Sequence, residues 1–185
     1  MNAEDPRSTP AAPAEPQAEG TDALIAALMD IERHVSAQGW DQPARLFALV
    51  RTDELIRNEP SLAAHLAVGN EDALSSIEQE DFHAGENPLE TLARIQWPAS
   101  VAGCAIALER TFLPSQYEAD LPRDDQAAAA AVANHPHKQD IRVVVGALRD
   151  GSRHGVARLV SNPEHLLGAT DLVPNLTEAV AGTLR

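Results

Sequence analysis

The pattern of apolar and polar positions is sharpest over residues 140–160, DIRVVVGALRDGSRHGVARLV. Two runs rich in β-branched residues flank Arg149-Asp150-Gly151, the signature of a β-hairpin. A two-residue turn at Asp150-Gly151 would set Val143 opposite Arg158 and Arg142 opposite Leu159, mixing polar and apolar residues on both faces. A three-residue loop, with Arg149 and Asp150 in a type I turn and Gly151 left-handed, pairs Leu148 with Ser152 instead. Ile141, Val143, Val145 and Ala147 then share a face with Ala157 and Leu159. Arg142, His154 and Arg158 fall on the other face beside Val144 and Val156. Register follows the face that must be buried, so the three-residue loop is expected. The second, mixed face is either covered by the chain's own helices or left for a partner.

The remaining pattern predicts helices before and after this hairpin. Leu24, Leu28, Ile31 and Val35 recur at spacings of three and four, giving a helix over 21–38 that Thr21 or Asp22 caps and Gly39 ends. Residues 44–50 read as a strand with Leu46, Ala48 and Val50 on one face and Arg45, Phe47 and Leu49 on the other. Two short helical pieces over 53–68 are parted at Pro60, and 74–80 is a weak strand. Asn87-Pro88 opens a helix that ends before Trp97-Pro98. Residues 101–112 form a strand whose second face, Val101, Gly103, Ala105 and Ala107, is small enough for a helix to lie close, which places it centrally. Asp124 and Asp125 suit the positive start of a helix through the alanines at 127–131. Pro174 begins a last helix carrying Leu176, Val180 and Leu184. The expected fold is α+β: an antiparallel-rich sheet of about five strands packed by helices, in the order α-β-β-β-α-β-β-α with extra short helices.

Residues 1–20, with four prolines and no large apolar residue after Met1, are expected to be a disordered Pro/Ala-rich tail, leaving 21–185 as one domain. Aromatic residues make up 3% of the chain, so Leu, Val, Ile and Ala must build the core. The net charge of −14 repels phosphate backbones and anionic lipid surfaces, so neither nucleic acid nor membrane is an expected partner. The N-terminus lacks a basic-then-apolar signal pattern and no stretch reaches the length of a membrane span, so the expected compartment is the cytoplasm.

Candidate chemistry is sparse. Cys104 is the chain's one cysteine and lies mid-strand among small apolar residues, where a thiol packs as a hydrophobe. No nucleophile elbow or phosphate-binding loop is present; Gly151-Ser152-Arg153-His154-Gly155 reads as a hairpin turn. His135 and His137 flank a proline in a connection, without the spacing of a zinc site, so no metal and no cofactor are expected. The acidic clusters Asp53-Glu54, 78–81 and Asp124-Asp125 read as solvated rims. Two constellations stand out. Trp40-Asp41, with Arg45, places a tryptophan beside an acid where a strand starts. Glu109-Arg110 places opposite charges where a strand meets the rim of the sheet. Each is either packing with an edge ion pair or a recognition surface.

Four blocks, GWDQPARLFALV (39–50), WPASVAGCAIALER (97–110), HPHKQDIRVVVGALRDG (135–151) and DLVPNL (171–176), together resemble a family of small acidic proteins of actinobacteria. That resemblance covers most of residues 22–185 and implies no activity and no catalytic residue. The element order is also similar to that of small acidic secretion chaperones of the type III class, a likeness of shape only. Two functions are therefore expected to compete. One is a non-enzymatic adaptor or chaperone-like domain, either a monomer or a homodimer, that holds a protein partner through Trp40, Asp41, Arg45, Glu109, Arg110, Arg142, His154 and Arg158. The other is a small-molecule-binding protein or enzyme with a pocket near Trp40, Arg45, Glu109 and Arg110.

Overall fold

The computed structural model describes residues 16–64 and 73–185. Its centre is a six-stranded antiparallel sheet in the order β2-β1-β3-β4-β5-β6. The strands are β1 (Arg45–Arg51), β2 (Leu74–Glu78), β3 (Gly103–Phe112), β4 (Gln139–Leu148), β5 (Arg153–Leu159) and β6 (Asn162–Ala169). Helix α1 (Pro16–Ser36) covers one face. Helix α5 (Pro174–Gly182), with the short α3 (Pro88–Leu92), covers the other. Helix α2 (Thr52–Asn58) and a 3-10 turn (Pro60–Ala64) lie between β1 and β2; α4 (Asp125–Ala133) lies between β3 and β4.

The hairpin takes the expected register. Leu148 N–H donates to Ser152 O at 2.9 Å, Gly151 N–H donates to Leu148 O at 3.1 Å, and Gly151 is left-handed at φ 97°. Ile141 opposes Leu159 and Val143 opposes Ala157. Val143 and Ala157, with Ile141 packed against them, join Leu46, Cys104, Ile106 and Leu108 in the core beneath α5, where Leu176 and Val180 are fully buried.

The opposite core is built by α1. Leu24, Leu28, Ile31 and Val35 are all buried, against Phe47, Leu49, Ala105, Ala107, Val144 and Val156. Each such aliphatic side chain stabilises the fold by about 1.5–3 kcal/mol. Small residues set how near the helix lies: a Cβ on Gly146 would meet Leu28 Cδ2 at 2.8 Å and Leu24 Cδ1 at 3.0 Å. The mixed face of the hairpin is thus covered by the protein's own first helix.

Arg149, in the hairpin loop, ties the α5 side together. Its guanidinium donates to the carbonyls of Val101 (2.7 Å), Leu184 (2.6 Å), Trp97 and Pro98 (both 3.1 Å). Trp97 Nε1 donates to Thr183 Oγ1 at 3.0 Å, pinning the same junction. Asn87 and Asp124 cap α3 and α4 through their side chains.

Three expectations change. The sheet has six strands among the described residues, not about five, so the order gains a strand between the hairpin and α5. The added β6 contains Pro163 and Gly168 and is exposed at seven of its eight positions, so it carries no apolar alternation to reveal it. Helix α1 begins at Pro16 rather than at residue 21; proline fits a first turn, and Gln17, Ala18 and Glu19 carry the helix by propensity without an apolar stripe. Helix α3 stops at Leu92, earlier than expected, with Ile95 packed on the α5 core. Residues 1–15 of the expected tail, and 65–68 of the second helical piece, lie outside the described residues.

Replacing Gly146 with alanine should destabilise the fold by about 1–3 kcal/mol, because Leu24 and Leu28 are themselves packed and must move. Urea unfolding should show this as a lower midpoint at unchanged slope.

Candidate functional site

Two arginines on neighbouring strands, Arg142 and Arg158, stand directly opposite each other on the α1 face. Like charges so placed repel, and burial raises the cost, so each needs its own counter-charge. Helix α1 supplies one at Glu32, a fully buried residue on the same stripe as Leu28 and Val35. Arg158 Nε donates to Glu32 Oε1 at 2.6 Å and Nη2 donates to Oε2 at 3.0 Å, a bidentate pair. Ser36 links the two arginines: its hydroxyl donates to Glu32 Oε1 at 2.6 Å and accepts from Arg142 Nη1 at 2.9 Å.

Arg142, 1% exposed, completes its shell with residues past the end of α1. Its Nη2 donates to Glu109 Oε1 at 3.1 Å and also to Gly39 O. Its guanidinium lies 4.4 Å from the centre of the Trp40 ring, a cation–π contact worth about 2 kcal/mol when desolvated. Only Nε is left without a hydrogen bond. Burial pushes the Glu32 carboxyl upward, but the hydrogen bonds from Arg158 and Ser36 and the charges of Arg158 and Arg142 outweigh it. The carboxyl is held below its ordinary value.

Glu109 connects this network to a groove of about 900 Å³ at the end of the sheet, formed where β1, β2 and β3 meet the connection 79–88. Its Oε2 accepts from Gln42 N–H at 3.0 Å, so both carboxylate oxygens are engaged. Arg45, also on the groove, is engaged as fully. Its Nε donates to Glu78 Oε1 (3.0 Å) and Oε2 (3.2 Å), and Nη1 donates to Gln38 Oε1 (3.1 Å) and Gln42 Oε1 (3.0 Å). Its Nη2 lies against Glu78 and 3.2 Å from His34 Nε2. Arg110 differs. It follows Glu109 on β3, so its side chain leaves the strand on the opposite side, is exposed, and makes no hydrogen bond or ion pair among the described residues. Phe82, Leu108 and Pro43 add apolar lining.

The eight residues singled out from sequence therefore separate. Trp40, Glu109, Arg142 and Arg158 belong to the network under α1. Arg45, Glu109 and Arg110 line the groove together, whereas Trp40 does not. Asp41 is exposed in the turn after α1 at φ 65°, a left-handed conformation that aspartate tolerates. His154 lies half-buried on the α1 face, where a Cβ on Gly168 would sit 3.3 Å from its Nε2, and burial lowers its pKa. Glu32 was missed by sequence reasoning. Its signal was an acid set four residues after Leu28 on the apolar stripe, facing a sheet with two unmatched arginines.

The other candidates have structural surroundings. Cys104 is fully buried, with Sγ 3.1 Å from Thr183 Oγ1, and burial pushes its thiol up to about 11. His135 and His137 flank Tyr117, with the His137 ring stacked on it at 4.5 Å. Among the described residues no group of three His, Cys, Asp or Glu side chains is placed to hold a metal ion.

A family model described as "PPA1309-like protein" matches residues 24–185. Comparison with curated proteins and with solved structures gave no match.

Replacing Glu32 with glutamine leaves Arg158 without its counter-charge and should cost on the order of 3 kcal/mol at neutral pH. Because the folded carboxyl titrates below its unfolded value, its stabilisation is present above the unfolded pKa and is lost as pH falls through the folded one. Unfolding curves of wild type and Glu32→Gln should therefore converge in acid; a constant gap down through the carboxylate range would contradict the pairing. A thiol reagent at pH 8 should leave Cys104 unmodified in the native protein and modify it once unfolded.

Proposed function

We propose, of a chain that belongs to the PPA1309-like protein family, that it is a binding domain whose site is the groove beside Arg110 and whose ligand is a small molecule bearing an anionic group. One observation carries this. Of the charged side chains from sequence that line the groove, Arg45 and Glu109 are occupied by internal partners, and the Arg110 guanidinium is the one still free to receive a ligand. A volume of about 900 Å³ falls in the range of small-molecule sites, and a guanidinium suits carboxylate or phosphate. No nucleophile with a neighbouring base lines the groove, which favours binding over catalysis.

The adaptor alternative draws on a different feature. Helix α1 occupies the mixed sheet face, so a protein partner would find its place at β6, an edge strand exposed at seven of its eight positions, including Leu167. An extended segment added there would gain main-chain hydrogen bonds. We take the protein to act in the cytoplasm of an actinobacterium, with no nucleic-acid partner at a net charge of −14. Among the described residues no helix is long and apolar enough to cross a membrane.

Thermal unfolding against a panel of small carboxylates and phosphates tests the groove. A ligand present at about 100 times its Kd should stabilise the wild type by about 2.7 kcal/mol. Arg110→Ala should remove that gain and change the unliganded stability by less than about 0.5 kcal/mol, since the side chain is exposed and unpaired. Equal stabilisation of wild type and variant would exclude Arg110 as the anchor.

A further inference from the structure

We infer that the ligand of this groove is a zwitterion, carrying an amine at a distance from its anionic group, with an apolar body between them. This rests on the groove being a ligand site, as proposed above. Besides Arg110, two carboxylates line the groove without partners: Glu80 and Glu86 are exposed and make no hydrogen bond or ion pair among the described residues.

Opposite charges in this groove do pair where geometry permits, as Arg45 does with Glu78. Arg110 and the two free carboxylates share the same cavity and yet no nitrogen of the one comes within 4.0 Å of an oxygen of the others, since no such ion pair forms. With Glu78 and Glu109 already committed, the uncommitted acids and guanidinium of the groove are Glu80, Glu86 and Arg110, with the His83 imidazole also on the lining. A simple anion held by Arg110 must also face Glu80 and Glu86, and a simple cation held by those two must face Arg110. Each meets repulsion from the other end. A molecule with a carboxylate for Arg110 and an ammonium for Glu80 and Glu86 meets attraction at both. Phe82, half-buried on the groove, offers an apolar surface for the stem.

Three probes of one length separate the cases: 6-aminohexanoate, hexanoate and hexylamine, titrated into the full chain at low ionic strength and followed by backbone amide shifts. The expected result is shifts confined to residues 79–86 and 108–111, with 6-aminohexanoate bound at least about tenfold more tightly than either single-ended probe. Arg110→Gln should erase the preference over hexylamine, and Glu80→Gln with Glu86→Gln should erase the preference over hexanoate. Hexanoate binding as tightly as 6-aminohexanoate overturns the zwitterion and leaves the anion-binding groove standing. Hexylamine binding as tightly, or groove amides that stay still with all three, overturns both.

Discussion

An arginine fully buried in the middle of a sheet constrains everything around it. A buried guanidinium is costly unless its charge and N–H groups are met, so the fold brings counter-charge, hydrogen-bond acceptors and an aromatic face to where Arg142 sits. Glu109 comes from the adjacent strand, Ser36 and Gly39 from the end of α1, and Trp40 from the turn that follows. The second arginine, Arg158, forces a further acid onto the helix itself at Glu32. The length of α1, the residue at which it ends and the left-handed turn at Gly39 are all tied to one guanidinium.

The same constraint orders the groove. Glu109 serves Arg142 with one oxygen and the Gln42 backbone with the other, which holds the turn after α1 against the end of β3. Gln42 in turn accepts from Arg45 through its side-chain oxygen, and Arg45 clamps Glu78 on the next strand. The wall of the groove is therefore rigid on the side facing α1. The free side chains, Arg110, Glu80 and Glu86, line the same groove without internal partners among the described residues. A stiff wall together with adaptable charges is a favourable arrangement for selecting a ligand by its charge pattern.

The sequence was informative wherever burial and local geometry agreed. The register of β4 and β5 was legible because Gly151 allows only a few turns and one of them gathers Val143, Val145 and Ala157. The central position of β3 was legible from Ala105 and Ala107, which admit α1 closely. β6 was not, since an exposed edge strand has no apolar face to write into its sequence. In the candidate site, Arg45, Glu109 and Arg110 could be grouped because each sits at a strand end near the rim. What could not be read was which of them is already occupied. That depends on Glu78, Arg142 and Gln42, partners separated from them by 33 to 67 residues or brought in by a turn. Pairings of that kind come from tertiary packing, and no local pattern encodes them.

The Glu32–Arg158 pair joins residues 126 apart in the chain. The meander β4-β5-β6 assembles from neighbouring segments, and β1 meets β2 across a modest loop, but α1 must close nearly the whole domain to reach β5. Closing so long a loop carries a larger entropy cost than pairing neighbouring strands, and it yields nothing until the strands beneath are in place. The first helix in the sequence thus docks on strands that must already be paired, and until it does Arg158 stands on the sheet without its counter-charge.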